Sequence, residues 1–236
     1  MLSARVSYTL SISGSWSSGS SLSEPGETIL RLIITVQNPG MADPPEDSGQ
    51  IRRRKRMAQV KAKFVQLACD FLSSSPETQR AAIAAVERRA GKPYKELDPD
   101  AYYDTSLLDA VFREIDNHES EFMAHVKKKV IGQEVYSTIK FTAGFPEHVK
   151  TPLDHVRFEA EGFLLNHKGG DVRPRRILLA EDRHVVIEAP SPGYDCTWIE
   201  GVFEGILRMT GHAGKVVKQT SCVKKGDHTC VFDIAW

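Results

Sequence analysis

"CVKKGDHTCVFDIAW", residues 222–236, decides the fold. Cys222 and Cys230 stand at the shoulders of a turn that holds Gly226 and Asp227, and an alternating apolar stretch follows. Glycine and aspartate form turns, and apolar residues at every second position mark a strand with one buried face. The preceding "KVVKQTSC" (215–222) has a similar strand-like character. The two stretches therefore read as an antiparallel hairpin. Centred on Gly226, it makes the cysteines cross-strand partners with Cβ atoms about 5 Å apart.

Upstream, "SPGYDCTWIEGVFEGILRMTG" (191–211) reads as a turn and then a helix of about four turns, burying Trp198, Val202, Ile206 and Met209. Before it, "RRILLA" and "HVVIEA" flank "EDR" as a second hairpin. Helices come first. Apolar spacing predicts one over 60–72. Ser75, Pro76 and Gly91 bound the next. Others follow at 105–116 and at 119–138, softened at Gly132, and a last one is capped by Thr151 with Pro152 at its first position. Helices followed by β-β-α-β-β give an α+β fold: helices packed on a four-stranded, mainly antiparallel, twisted sheet.

Residues 1–50 are rich in Ser, Gly, Pro and acids, and they read as a disordered extension with at most a weak strand at 29–36. Residues 51–100 read as a helical segment and 101–236 as the main domain. Lysine plus arginine (31) equals aspartate plus glutamate (31), so overall charge gives no reason to expect nucleic acid. The basic run Arg52–Arg56 reads as a solvated helix start. No apolar run reaches the roughly 20 residues that span a bilayer. The reading is a cytoplasmic protein with reduced thiols.

Enzyme motifs are missing: there is no phosphate loop, dinucleotide fingerprint or zinc-protease helix. The eight histidines show no convergent pattern. Glu200 and Glu204 share a helix face and read as a solvated stripe. Opposed thiols in a hairpin are half of a tetrahedral zinc site, or else small buried residues. Cys69, on a helical apolar face, reads as core.

Cys196, Gly201, Gly205, Cys222, Gly226, Asp227, Cys230, Phe232 and Ile234 together resemble the pattern of 4-vinyl reductase domains. The match is close over the last 45 residues or so and loose over 105–236. The resemblance implies a fold shared with TRAPP tethering subunits and related to haem–NO-binding domains. It also implies zinc held by Cys196, Cys222 and Cys230. Phenol-responsive relatives add a glutamate, at whose place stands Gln219; His212, His228 or Asp227 are alternative fourth ligands. No Tyr-x-Ser-x-Arg motif is present, so no haem is expected. The implied function is a non-catalytic module that senses a small hydrophobic ligand and acts through a protein partner, as a homodimer. Phe141, Phe145, Phe158, Phe163, Trp198 and Phe203 are candidate ligand contacts. The alternatives are a tethering-like interaction scaffold and an accessory protein of tetrapyrrole pigment synthesis.

Overall fold

The computed structural model describes residues 57–236 except 171, 191, 193 and 194. The expected N-terminal disorder, the strand at 29–36 and the basic run Arg52–Arg56 lie outside these residues. All described elements belong to one unit, Ile51–Trp236. The segment 51–100 shares its core with the rest, Val65, Ala82 and Val86 joining Val111, Ile187 and Phe203.

The described residues form seven strands and six helices, in the order the sequence suggests with one added small sheet. β1 (Gln59–Lys61) lies between β2 (Tyr102–Asp104) and β3 (His167–Lys168) in a small antiparallel sheet. The predicted helix 60–72 therefore starts later, as α1 (Ala62–Asp70). Val60 is drawn into the sheet by Tyr103 on one side and His167 on the other. α2 (Pro76–Ala90) ends at Gly91, whose φ of 70° is the left-handed conformation that glycine takes without penalty. Ser75 does not cap α2 through its side chain; its hydroxyl accepts from Lys127 Nζ instead. α3 spans Ser106–His118, α4 Glu121–Thr142 and α5 Pro152–Asn166. Thr151 and Asp154 form a capping box at the start of α5.

The main sheet has four antiparallel strands in the order β4 (Arg176–Glu181), β5 (His184–Glu188), β7 (Val231–Ala235), β6 (Val217–Ser221). Val185 and Ile187 of β5 stand opposite Ile234 and Phe232 of β7, and all four are fully buried. That alternation presents one apolar face to α6 (Cys196–Met209), where Phe203 meets Phe232 at a ring distance of 5.4 Å.

α4 covers the other side of α6. Gly132 does not soften α4. It lets the two backbones approach: a Cβ at Gly132 would overlap the Trp198 carbonyl, one at Gly201 the Lys129 carbonyl, and one at Gly205 the Gln133 carbonyl. The glycines of α6 serve the same contact. Polar groups flank it. Lys129 bridges Glu200 (2.8 Å) and Glu204 (2.9 Å), so the acid stripe is bonded to α4 rather than merely solvated.

Candidate functional site

Two features stand out around α6. The first is a cluster of three thiols. Cys196 is the first residue of α6, and Asp195 caps that helix by accepting from the Thr197 N–H at 3.0 Å. The Asp195 carboxylate is anchored by the buried Lys128 ammonium at 2.9 Å, which Asp116 also holds at 2.6 Å. Burial works against charge on Lys128, but the bonds to Asp116 and Asp195 outweigh it and hold its pKa above the usual value. Cys222 and Cys230 lie just beyond the ladder pair Ser221–Val231. The connection is not a tight two-strand turn. A 3-10 segment (Val223–Lys225) leads to Gly226 at φ 97°, and the Asp227 carboxylate accepts from the Cys222 N–H at 2.7 Å. The Cys230 carbonyl accepts from the Ala189 N–H at 2.9 Å, fixing the other shoulder to the end of β5.

These three anchors bring the sulfurs together. Cys196 Sγ lies 3.5 Å from both Cys222 Sγ and Cys230 Sγ, and all three fall within 4.8 Å of one another. All are buried and none is in a disulfide. Thiolates around a tetrahedral ion with bonds of about 2.3 Å stand roughly 3.8 Å apart, so the cluster already has the spacing of one face of such a site. The hydrogen bond from Cys196 brings the Cys230 pKa down to about 7, while Cys196 is pushed up by that same bond and by burial. Cys69 is fully buried elsewhere in the core, and burial raises it to about 12.

Among the described residues, no histidine or carboxylate atom completes the cluster. His228 is exposed, and His212 follows α6, where its N–H donates to the Leu207 carbonyl. Asp227 spends its carboxylate on the Cys222 N–H. Gln219 does face the sulfurs: its amide adjoins Cys196, although Nε2 makes no well-formed hydrogen bond.

The second feature is a pair of adjoining spaces. A groove of about 570 Å3 runs between α1, α4 and α5. Its walls are helical faces at i, i+3, i+4 and i+7 spacing: Phe64, Leu67 and Phe71 from α1, Val135, Thr138, Ile139 and Thr142 from α4, and Phe158, Gly162 and Leu165 from α5. Behind it lies a cavity of about 40 Å3 that shares Phe64, Val135, Ile139, Phe158, Gly162 and Asn166 with the groove. The cavity is lined further by Tyr136, Glu159, Phe163, His167, Arg175 and Trp198. Glu159 accepts from Tyr136 Oη at 2.6 Å and from Arg175 Nη1. The guanidinium lies 4.3 Å over the Phe163 ring. His167 stacks on Phe163 at 4.1 Å and Phe64 at 5.8 Å, and burial brings its pKa down to about 3.

The six aromatic candidates separate. Phe158, Phe163 and Trp198 line the inner cavity, and Phe158 also lines the groove. Phe145 stacks on Tyr136 at 5.8 Å and lines neither space. Phe203 is spent on Phe232, and Phe141 is 90 % exposed. Arg175, Glu159 and Tyr136 escaped the sequence reading. Arg175 sits in "RPRR" (173–176), a pattern that signals a solvated surface, and only the folded contacts bury it.

The fold and these two features define an α+β domain of the haem–NO-binding architecture with a buried trithiol cluster and an interhelical groove. No protein-family model matches the chain, and no curated protein matches it. Solved structures do. An H-NOX protein from S. oneidensis in the Fe(II)NO ligation state is 14% identical with a TM-score of 0.54, over 74% of this chain and 97% of that one. A variant of the K. algicida H-NOX protein in the unliganded Fe(II) form gives 12% and 0.53, over 75% and 96%. An H-NOX structure concerned with haem distortion gives 12% and 0.56, over 75% and 94%. Identities this low show a shared fold.

These neighbours correct one expectation. The lack of a Tyr-x-Ser-x-Arg motif does not set haem aside, because the fold is one in which haem is carried. Tested on this structure, the two spaces divide what haem requires. The groove has the room, yet none of its lining residues is a histidine, cysteine, methionine or tyrosine, the side chains that ligate haem iron. The inner cavity brings His167 and Tyr136 but holds only about 40 Å3. As placed, the residues do not fit an axially ligated haem.

Proposed function

We propose that this domain is a non-catalytic small-molecule sensing module of the 4-vinyl-reductase type, with its ligand held between α1, α4 and α5. The observation that carries the reading is the groove: about 570 Å3, largely apolar, and within the 300–1,000 Å3 range of small-molecule sites. The shared fold supports it, since H-NOX structures are described by their ligation states and by activation. A soft metal ion such as zinc, bound by Cys196, Cys222 and Cys230 with Gln219 at the open position, ties α6 to the β6–β7 connection. The signal passes to a protein partner, and the working unit is a homodimer.

A scaffold reading draws on one observation: Phe141, Leu165 and Phe71 are 90 %, 69 % and 40 % exposed near this region. The two readings separate on one substitution. A Cβ added at Gly162 meets nothing within 4 Å, and Gly162 borders both spaces. Gly162→Leu starts from an unobstructed Cβ and should occupy the ligand's place; circular dichroism should show the fold unchanged. Native mass spectrometry of freshly purified protein should show a small molecule, retained or added, on the wild type and none on Gly162→Leu. Equal binding to both would remove the groove as the site.

A further inference from the structure

The groove between α1, α4 and α5 has charged residues near both ends of α1. At the far end, Asp70 is already matched: both of its carboxylate oxygens accept from Lys95 Nζ at 2.8 Å, and one also accepts from Tyr94 Oη at 3.0 Å. Roughly 12 Å back along the helix, Lys61 at the end of β1 and Lys63 in the first turn of α1 line the groove together. Their ammonium groups converge on one oxygen, Asp100 Oδ1, at 3.4 Å and 3.8 Å. A single exposed carboxylate therefore serves two cations. Their side chains are 21 % and 42 % exposed, so both are within reach of a molecule in the groove. Lys63 is short of negative charge: burial first, and then the Lys61 ammonium, hold its pKa below the usual lysine value against the pull of Asp100. Other polar groups of the lining bond within the protein. Gln66 donates to the Tyr94 and Leu97 carbonyls at 3.1 Å and 3.0 Å, and Thr142 donates to the Thr138 carbonyl at 2.8 Å.

We infer that the groove takes a monoanionic amphiphile, a carboxylate on an extended apolar chain, with its head at Lys61 and Lys63 and its chain running along α1 towards Phe71. The inference rests on the groove being the ligand site. Shape sets the body of the molecule. Leu67, Phe71, Ile139, Phe158 and Leu165 form an apolar wall along the helices, and Phe71 and Leu165 leave apolar surface open to solvent that a chain would cover. Charge sets the head. A carboxylate supplies the second counter-ion that two lysines sharing Asp100 lack, through charge-assisted hydrogen bonds. A neutral head leaves the positive excess as it is, and a cationic head adds to it. Without the lysines the order would be the reverse: an apolar groove favours an alcohol over a carboxylate, because the anion must shed more hydration.

Calorimetric titration of the full chain at neutral pH and low salt tests this with three probes of one chain length: octanoate, 1-octanol and octylammonium. Octanoate should bind at least about threefold tighter than 1-octanol, and octylammonium should bind most weakly. The double variant Lys61→Gln/Lys63→Gln should bind 1-octanol as the wild type does and prefer it over octanoate. Equal or tighter binding of 1-octanol to the wild type overturns the anionic class, as does tighter binding of octylammonium. A preference for octanoate that survives in the double variant overturns the role of the lysines. Binding of none of the three overturns the groove reading itself, as does octanoate binding that Gly162→Leu leaves unchanged; both results are distinct from binding with the wrong order. If the double variant fails to fold, salt decides on the wild type: about 0.5 M should shrink the octanoate preference, and a preference that salt does not touch overturns the charge pairing.

Discussion

Gly201 and Gly162 are both helical glycines, and they should respond oppositely to the same change. A Cβ at Gly201 overlaps the Lys129 backbone, which cannot step aside without parting α4 from α6, so Gly201→Ala should cost about 3 kcal/mol or more in chemical denaturation. At Gly162 the added methyl meets nothing, and alanine's better helix propensity should leave the protein unchanged or up to about 1 kcal/mol more stable. His167 adds a pH signature. Burial lowers its pKa to about 3 in the folded state, against about 6.5 in the unfolded chain. Between those values the unfolded state binds the extra proton, so stability falls as pH drops from 6.5 towards 3. His167→Phe should flatten that slope in urea titrations run across the window; an unchanged slope would show that other groups set it. The cysteines were legible because their spacing brackets a turn. Arg175 was not, because sequence pattern cannot show that a basic residue in a basic run finds a buried carboxylate.

Among the elements, α6 is held most firmly. Cys196 begins it, Asp195 and Lys128 fix that beginning, and the thiols of the β6–β7 connection close on it. Where a metal joins thiols from separate elements, its binding energy becomes folding energy. With the proposed metal at these thiols, Cys222→Ser and Cys230→Ser should each lose it and lower the melting temperature by several degrees, read by metal analysis alongside calorimetry; wild-type protein without metal would contradict the proposal. Gln219→Glu, which puts a charged oxygen beside the sulfurs, should tighten metal binding in a chelator competition; weaker or unchanged binding would show that this side chain does not reach the ion. Long elements were readable from their periodicity and caps, as with α5 and its Thr151–Asp154 box. The sheet of β1, β2 and β3 was not, since strands of two or three residues show no period, and their pairing joins residues 59–61, 102–104 and 167–168. Gly132 looked like a helix weakness because the sequence does not reveal that another backbone lies against it.

At the scale of the whole molecule, the helices of the N-terminal half and the sheet of the C-terminal half meet along α6, and the groove lies on the helical side of that contact. Ligand in the groove would touch α4, which packs through its glycine contact against α6, the helix that begins at Cys196 of the thiol cluster. No helix among the described residues is long and apolar enough to cross a membrane. The proposed homodimer is checked by sedimentation at micromolar concentration, where a mass of two chains is expected and a mass of one refutes it. The central claim, that a small molecule is held between α1, α4 and α5, is tested most directly by backbone amide NMR of the full chain during titration with octanoate. Saturable shifts concentrated on Phe64–Phe71, Val135–Thr142 and Phe158–Asn166 are expected. Shifts that do not saturate, or that map away from these three faces, would contradict it.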